Sequence, residues 1–518
     1  MSIRRRTDRK ADDAMKASSP LHRDGGRKGK ASLLTVLLSA TLLASGCAVG
    51  PDFLRPKAPD VTGYTPEPLA EKTASASTTA GEAQAFALGR DIPGQWWTLF
   101  RSEPLNRLVE QSLKANPDIR AAEAALRQAR ENLYAEQGSL FPSVDGQLLA
   151  ERQRITGATQ GRVGTITTFN LYRASVDVSY ALDLFGGERR LIEAQAAQAE
   201  YQGFQLEATY LTLSSNVVAL AVQEASLREQ IAATEDIIKA QTEQLDVVRR
   251  QFDLGAVSRA DVLAQEASVA QTRATLPGIQ KQLAQTRNQL AALAGRFPSE
   301  DIEQSFHFSD LQLPQELPVS LPSQLVEQRP DIRAREALLH AASAQVGVAT
   351  ANQLPQITLT GSFGTAATKA NQLFTANSGI WSVGAGLLQP IFRGGTLEHE
   401  KQAAIAAYDQ AAAQYQSTVL QAFQNVADSL RALQSDADAV RAQAEAERSA
   451  ADSLAISREQ FGNGAISYVT LLNADRTYQQ ARINLVQAQA TRYADTVALF
   501  QSLGGGWWNR ADAVASGR

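Results

Sequence analysis

From Thr396 to Phe461 the chain runs for 66 residues without a glycine or a proline. Tyr408, Ala412, Tyr415, Val419, Phe423, Val426, Leu430 and Leu433 recur along it in steps of three and four. That is the spacing of a coiled-coil seam, so the run predicts one helix about 100 Å long at 1.5 Å per residue. It breaks at Gly462 and Gly464, inside Arg458–Arg476, REQFGNGAISYVTLLNADR. A second such stretch, Glu188–Leu254, has no proline and only Gly203, with Tyr201, Phe204, Ala208, Leu211, Ser215, Val218, Val222 and Ala225 as its seam. It breaks at a matching turn, Arg250–Leu263, RQFDLGAVSRADVL. Gln251-Phe252, Gly255-Ala256, Ser258 and Leu263 reappear 209 residues later as Gln460-Phe461, Gly464-Ala465, Ser467 and Leu472. Two equivalent hairpin tips in one chain imply an internal duplication. The returning helices are Ser258–Ala294, with a kink expected at Pro277-Gly278, and Ser467–Leu503.

The segments before each long helix repeat as well. Asn116-Pro117-Asp118-Ile119-Arg120 and Phe141-Pro142 are echoed 213 residues later by Arg329-Pro330-Asp331-Ile332-Arg333 and Leu354-Pro355. Pro117 suits the first turn of a helix, which runs to about Gly138 and stops before Phe141-Pro142. Strand patterns follow in both halves. Tyr172, Ala174, Val176, Val178, Tyr180 and Leu182 alternate with Arg173, Ser175, Asp177 and Ser179. In the same way Ile357, Leu359, Gly361 and Phe363 alternate with Thr358, Thr360 and Ser362, and Trp381, Val383, Ala385 and Leu387 with Ser382, Gly384 and Gly386. Ser143–Ala150 reads as a shorter strand, joined to Phe169–Leu184 by a glycine-containing loop, Thr156–Thr168. The organisation is then a leader (1–46), a Pro/Thr/Ala/Ser-rich tether (47–95), a first repeat (96–297), a proline-containing linker (298–318), a second repeat (319–503) and a tail (504–518), of which the polar part after Gly504–Trp508 is expected to be disordered.

The leader carries ten Lys/Arg against four Asp/Glu, then an apolar run, Ala31–Ala44, of signal-peptide length. Translation starts at Met1 or Met15. Ser45-Gly46 precedes Cys47, the only cysteine of the chain, which excludes an intramolecular disulfide. The segment resembles a bacterial lipobox, with Ala44 where leucine is commoner, and marks Cys47 for lipidation rather than as a free thiol. The whole chain has net charge −4; the leader holds +6 of it, leaving about −10 on the remainder. That balance argues against a nucleic-acid partner. His22, His307, His340 and His399 are scattered, and no HExxH, GxSxG, P-loop or dinucleotide fingerprint is present. No enzyme, cofactor or metal site is expected.

Four alternating strands are too few to close a membrane barrel, which begins at about eight. Seams about 100 Å long also need partners beyond one chain. Both arguments point to an oligomer that pools strands and helices. Cys47-Ala48-Val49-Gly50-Pro51-Asp52-Phe53, the paired Pro-Asp-Ile-Arg motifs, the strand ends at Phe185-Gly186-Gly187 and Phe392-Arg393-Gly394-Gly395, the tips and Leu503-Gly504-Gly505-Gly506-Trp507 together resemble the TolC-like outer membrane efflux proteins. The similarity is to their NodT-type lipoprotein branch, which serves resistance-nodulation-division pumps. It spans residues 47–508. The resemblance implies a mixed, mainly α fold and a homotrimer, with a twelve-stranded outer-membrane β-barrel continuous with a periplasmic α-helical coiled-coil barrel. It implies an exit duct that conducts passively, joined to an inner-membrane transporter by a periplasmic adaptor and anchored in outer-membrane lipid through Cys47.

By the same resemblance Val469, Asn473 and Arg476 fall where such ducts close at the periplasmic end. Asn473 stands where an aspartate is usual. Asp475 is the alternative carboxylate, but two helical residues differ in direction by about 200°, so it faces away if Asn473 faces in. Ordinary coiled-coil contact is the competing reading of these residues. The tips, Leu254, Gly255, Ala256, Val257 and Ser258 with Asn463, Gly464, Ala465, Ile466 and Ser467, would dock the adaptor; their plainer reading is generic hairpin turns. Two other functions stay open: an exit duct for protein secretion, and a structural coiled-coil lipoprotein of the periplasm. The second leaves the alternating strands unexplained.

Overall fold

The structure, a computed structural model, describes residues 48–156, 164 and 166–510. The expectations for the leader, for Cys47 and for most of the loop after Thr156 lie outside these residues.

Two short helices come first, α1 (Glu103–Ala115) and α2 (Pro117–Gln137). Asn116 caps α2, its side-chain oxygen accepting the Asp118 N–H at 2.7 Å, and Pro117 sits where no N–H is needed. Strands β2 (Ser143–Thr156) and β3 (Ile166–Leu182) follow, numbered after the short strand β1 (Ala85–Leu88). Next comes the long hairpin of α3 (Gly187–Asp253) and α4 (Arg259–Leu293). After β4 (Glu316–Val319), α5 (Pro322–Gln328) and α6 (Pro330–Ala351), the order recurs: β5 (Gln356–Ala367), β6 (Gly379–Leu388), α7 (Thr396–Gly462) and α8 (Tyr468–Ser502). The outgoing helices α3 and α7 have 67 residues each and the returning helices α4 and α8 have 35 each. Pro277 does not end α4, which continues through it. No helix among the described residues is long and apolar enough to cross a membrane.

The seams are only part of what is buried. On α7, Tyr415, Val419, Val426, Leu430 and Leu433 are buried as the spacing requires. On α3 burial spreads around the helix, taking in Leu213, Ser214, Val217, Ala221, Glu224 and Leu227 as well. The reason is that α3 packs at once against α6, α4, α2, α8 and α1. A belt that the sequence reading leaves as tether and linker covers the core further. Its β1 pairs in parallel with β4, Ala85 opposite Glu316. Trp96, Trp97 and Phe100 then enter the core beside Phe500 and Tyr493, the Trp96 and Phe500 rings stacked at 5.4 Å. Arg492 of α8, fully buried, holds the belt by donating to the Ala80 and Glu82 carbonyls at 2.6 Å and to Thr73 Oγ1 at 3.0 Å.

At the head of the tail, residues 504–508 pack against the body; the polar end expected to be disordered lies outside the described residues from 511 on. Gly504, Gly505 and Gly506 are buried with φ of +92°, +66° and +70°. A Cβ on Gly506 would lie 2.5 Å from the Pro93 carbonyl oxygen, so the chain turns there only without a side chain. Trp507 and Trp508 donate their indole N–H groups to the Gln328 carbonyl and the Asp91 carboxylate at 2.6 and 2.9 Å.

The remaining strands form one antiparallel sheet in the order β2-β3-β5-β6. Strand β2 is longer than its apolar alternation suggests, because Glu151–Thr156 pair with Ile166–Leu171 although their side chains give no such signal. Directly opposed residues of a sheet share a face. One face carries the rows Val144, Val178, Gly361, Val383 and Gly146, Val176, Phe363, Trp381. The other carries Asp145, Asp177, Ser362, Ser382. The apolar face is bare: Leu148, Phe363, Trp381 and Val383 are 74–82% exposed. An apolar face of that extent needs a non-aqueous neighbour.

Candidate functional site

Far from the sheet along the long helices, each hairpin turns through the same backbone geometry. Gly255 and Gly464 have φ of +77° and +72°, and a Cβ at either would meet no atom within 4 Å. Left-handed backbone, not crowding, therefore requires glycine there. The N–H groups of Gly255 and Ala256 donate to the carbonyls of Phe252 and Gln251, both at 2.8 Å. Those of Gly464 and Ala465 donate to Phe461 and Gln460 at 3.0 and 2.9 Å. Ser258 then caps α4 in a capping box with Asp261, and Ser467 caps α8 through the Thr470 N–H at 3.4 Å. Leu254, Gly255, Ala256, Ser258, Asn463, Gly464, Ala465 and Ser467 are exposed. Val257 and Ile466 turn inward onto a plug of Val248, Leu454, Phe461, Tyr468, Leu471 and Leu472.

Beyond the second tip, Val469, Asn473 and Arg476 lie four and three residues apart and are all exposed, Val469 by 60%. They form one face of α8. Asp475 is not on that face. It points between the hairpins, where its carboxylate accepts from Gln241 of α3 at 2.9 Å and Gln479 at 2.5 Å and lies 3.7 Å from Arg458 of α7. Gln265 of α4 joins this cluster, donating to the Gln241 carbonyl at 2.8 Å and accepting from the Tyr468 hydroxyl. Burial pushes the Tyr468 phenol above its ordinary range; Asp475 and Asp261 add to the shift and Arg476 opposes it. Arg476 itself has no ion pair and no side-chain hydrogen bond among the described residues. At the positions matching Val469, Asn473 and Arg476 the first hairpin has Ala260, Ala264 and Ala267, so the polar face belongs to the second hairpin alone. Gln241, Gln265, Tyr468 and Arg458 were not singled out from sequence. No group of three or more His, Cys, Asp or Glu that could hold a metal occurs among the described residues.

A four-stranded sheet with an apolar outer face, set on two long helical hairpins, defines a class of membrane conduit. The match to known proteins gives the same class: residues 108–296 and 321–505 fit the family described as outer membrane efflux protein, and the chain belongs to that family. The probable efflux pump outer membrane protein TtgC of Pseudomonas putida is 30% identical over 92% of this chain and 96% of its own length. The probable outer membrane lipoprotein SilC of Salmonella typhimurium is 27% identical over 92% of this chain and 99% of its own. Among solved structures the outer-membrane channel OprN superposes with a TM-score of 0.78 at 28% identity, covering 89% of this chain and all of that one. The protein is an outer-membrane efflux channel.

Proposed function

We propose that three copies of this chain build the exit duct of a tripartite efflux pump. Their sheets would join into a twelve-stranded barrel, and their hairpins into a periplasmic tunnel continuous with it. The observation that carries this is the four-stranded sheet: its apolar face is bare, Asp177 and the serines line the other side, and strands β2 and β6 each leave an edge unpaired. Unpaired edges and a bare apolar face are both resolved by closing a ring within lipid. The equal helix lengths in the two halves, and the two separate family matches, support an internal duplication with repeats at 96–297 and 319–503. Lipidation of Cys47 would anchor the N-terminus; the relative SilC is itself named a lipoprotein.

In this reading Val469, Asn473 and Arg476 line the periplasmic entrance, and Asp475 acts behind them by tying the second hairpin to the first. The two tips would meet a periplasmic adaptor, which joins the duct to an inner-membrane transporter. The duct makes no bond and conducts passively. The test is single-channel recording of the purified protein in planar bilayers. The wild type should open pores of low conductance, and Arg476→Ala should raise it by loosening the entrance. Equal conductances would remove Arg476 from the gate, and absence of any pore would overturn the duct itself.

A further inference from the structure

Above the gate face a groove of about 530 Å³ opens between the two hairpins, walled by α3, α4 and α8. Thr272, Thr275 and Gln271 line it from α4, and Arg476, Gln479 and Gln480 from α8. Hydroxyl and amide groups dominate these walls, and Arg476 is the only charged residue among those that line it. Its guanidinium has no carboxylate partner among the described residues. Asp475, the acidic residue next to it in sequence, is turned away and already engaged by Gln241, Gln479 and Arg458. Asn473, one turn below, contributes no charge.

A cationic fork free of counter-charge, at the edge of a neutral hydrogen-bonding cleft, is complementary to an organic oxyanion. Guanidinium pairs with carboxylate through two parallel hydrogen bonds. The volume lies within the range of small-molecule pockets. The lining offers a cationic molecule no carboxylate at all. We propose that this groove is a binding site for small organic carboxylates, held by Arg476 and oriented by the second N–H of the Gln479 and Gln480 amides, whose first N–H groups go to Asp475 and Asn484. The binding itself depends only on the groove. Its place on the transport path rests on the reading of the Val469–Arg476 face as the lumen wall.

The experiment is calorimetric titration of the full-length protein in detergent with terephthalate, and in parallel with p-xylylenediamine, a dication on the same frame. Terephthalate should bind saturably and the dication should not. Arg476→Gln should weaken terephthalate binding by about tenfold or more, the loss expected for a charge-assisted pair. Arg476→Lys should keep part of it, and Arg448→Gln, an exposed arginine elsewhere, should bind as the wild type does. Inorganic phosphate as a third probe separates a site for organic anions from one for any oxyanion; phosphate matching terephthalate would overturn the organic class. Equal binding of dianion and dication, or binding unchanged in Arg476→Gln, would overturn the site. Bilayer recordings keep the two readings apart. Pores without Arg476-dependent binding would sink the groove and spare the duct, and binding without pores would do the reverse.

Discussion

At Gly464 the side chain is absent for one reason, the sign of φ, because nothing lies near enough to clash. Gly464→Ala should therefore destabilise the second hairpin by about 1–2 kcal/mol, the cost of left-handed backbone for an L-residue. Gly462 gives the internal control. It ends α7 without a positive φ and also has open space around it, so Gly462→Ala should be neutral or stabilising by up to about 1 kcal/mol. Denaturant midpoints of the two variants measure the contrast; equal losses would mean that the turn is held by contacts and not by backbone geometry. The turn glycines were legible because a turn writes its requirement into one residue type. Helical geometry sets Asp475 about 200° in direction from Asn473, but its partners Gln241 and Gln479 were not legible. Arg492 was not legible at all. Nothing in its neighbourhood on α8 separates a fully buried arginine from an exposed one, since its acceptors, Thr73, Ala80 and Glu82, lie more than 400 residues away in the belt.

Between elements, α7 and α8 bring Asp436 and Asp495 together. Burial, and then the Asp495 carboxyl, push Asp436 up to about 7, with Arg492 working the other way. Between the ordinary aspartate value of 3.8 and about 7 the folded chain keeps a proton that the unfolded chain has released. The unfolded state binds fewer protons in that window, so stability falls as pH rises through it and levels off above. Asp436→Asn should remove this slope. Its thermal midpoint should exceed that of the wild type at pH 8, and the gap should close toward pH 4; parallel curves would show that the pair does not control stability. The long helices themselves were readable because their signal is local and repeated many times along each run. The β1–β4 pair was not, since four residues on each side, AFAL and ELPV, sit in stretches whose composition reads as tether and linker. Their pairing spans more than 200 residues, and neither strand carries the alternation that a long half-buried strand must show.

For the whole molecule the deciding feature is that neighbouring residues of one strand face different media. Phe363 shares its row with Val176 and Trp381, and Ser362 shares the next with Asp177 and Ser382. Sequence alternation indicated these two faces, and the sheet register aligns them across all four strands. It also leaves β2 and β6 as free edges, which a lone sheet in water would expose to unwanted pairing. If three copies close those edges in a membrane, an arginine at position 363 must enter hydrocarbon. The cost is about 2–4 kcal/mol per chain at the bilayer midplane and less near either surface, and it is incurred three times in a trimer. The same arginine at position 362 would enter a water-filled lumen. Phe363→Arg should therefore reduce the yield of heat-resistant trimer in outer-membrane fractions, whereas Ser362→Arg should leave trimer yield intact and shift the ion selectivity of the pore toward anions. Trimer yield is read on unheated denaturing gels and selectivity from reversal potentials in a salt gradient. Should Ser362→Arg abolish the trimer while Phe363→Arg preserves it, the assignment of the two faces is inverted. If neither matters, the sheet does not line a membrane pore.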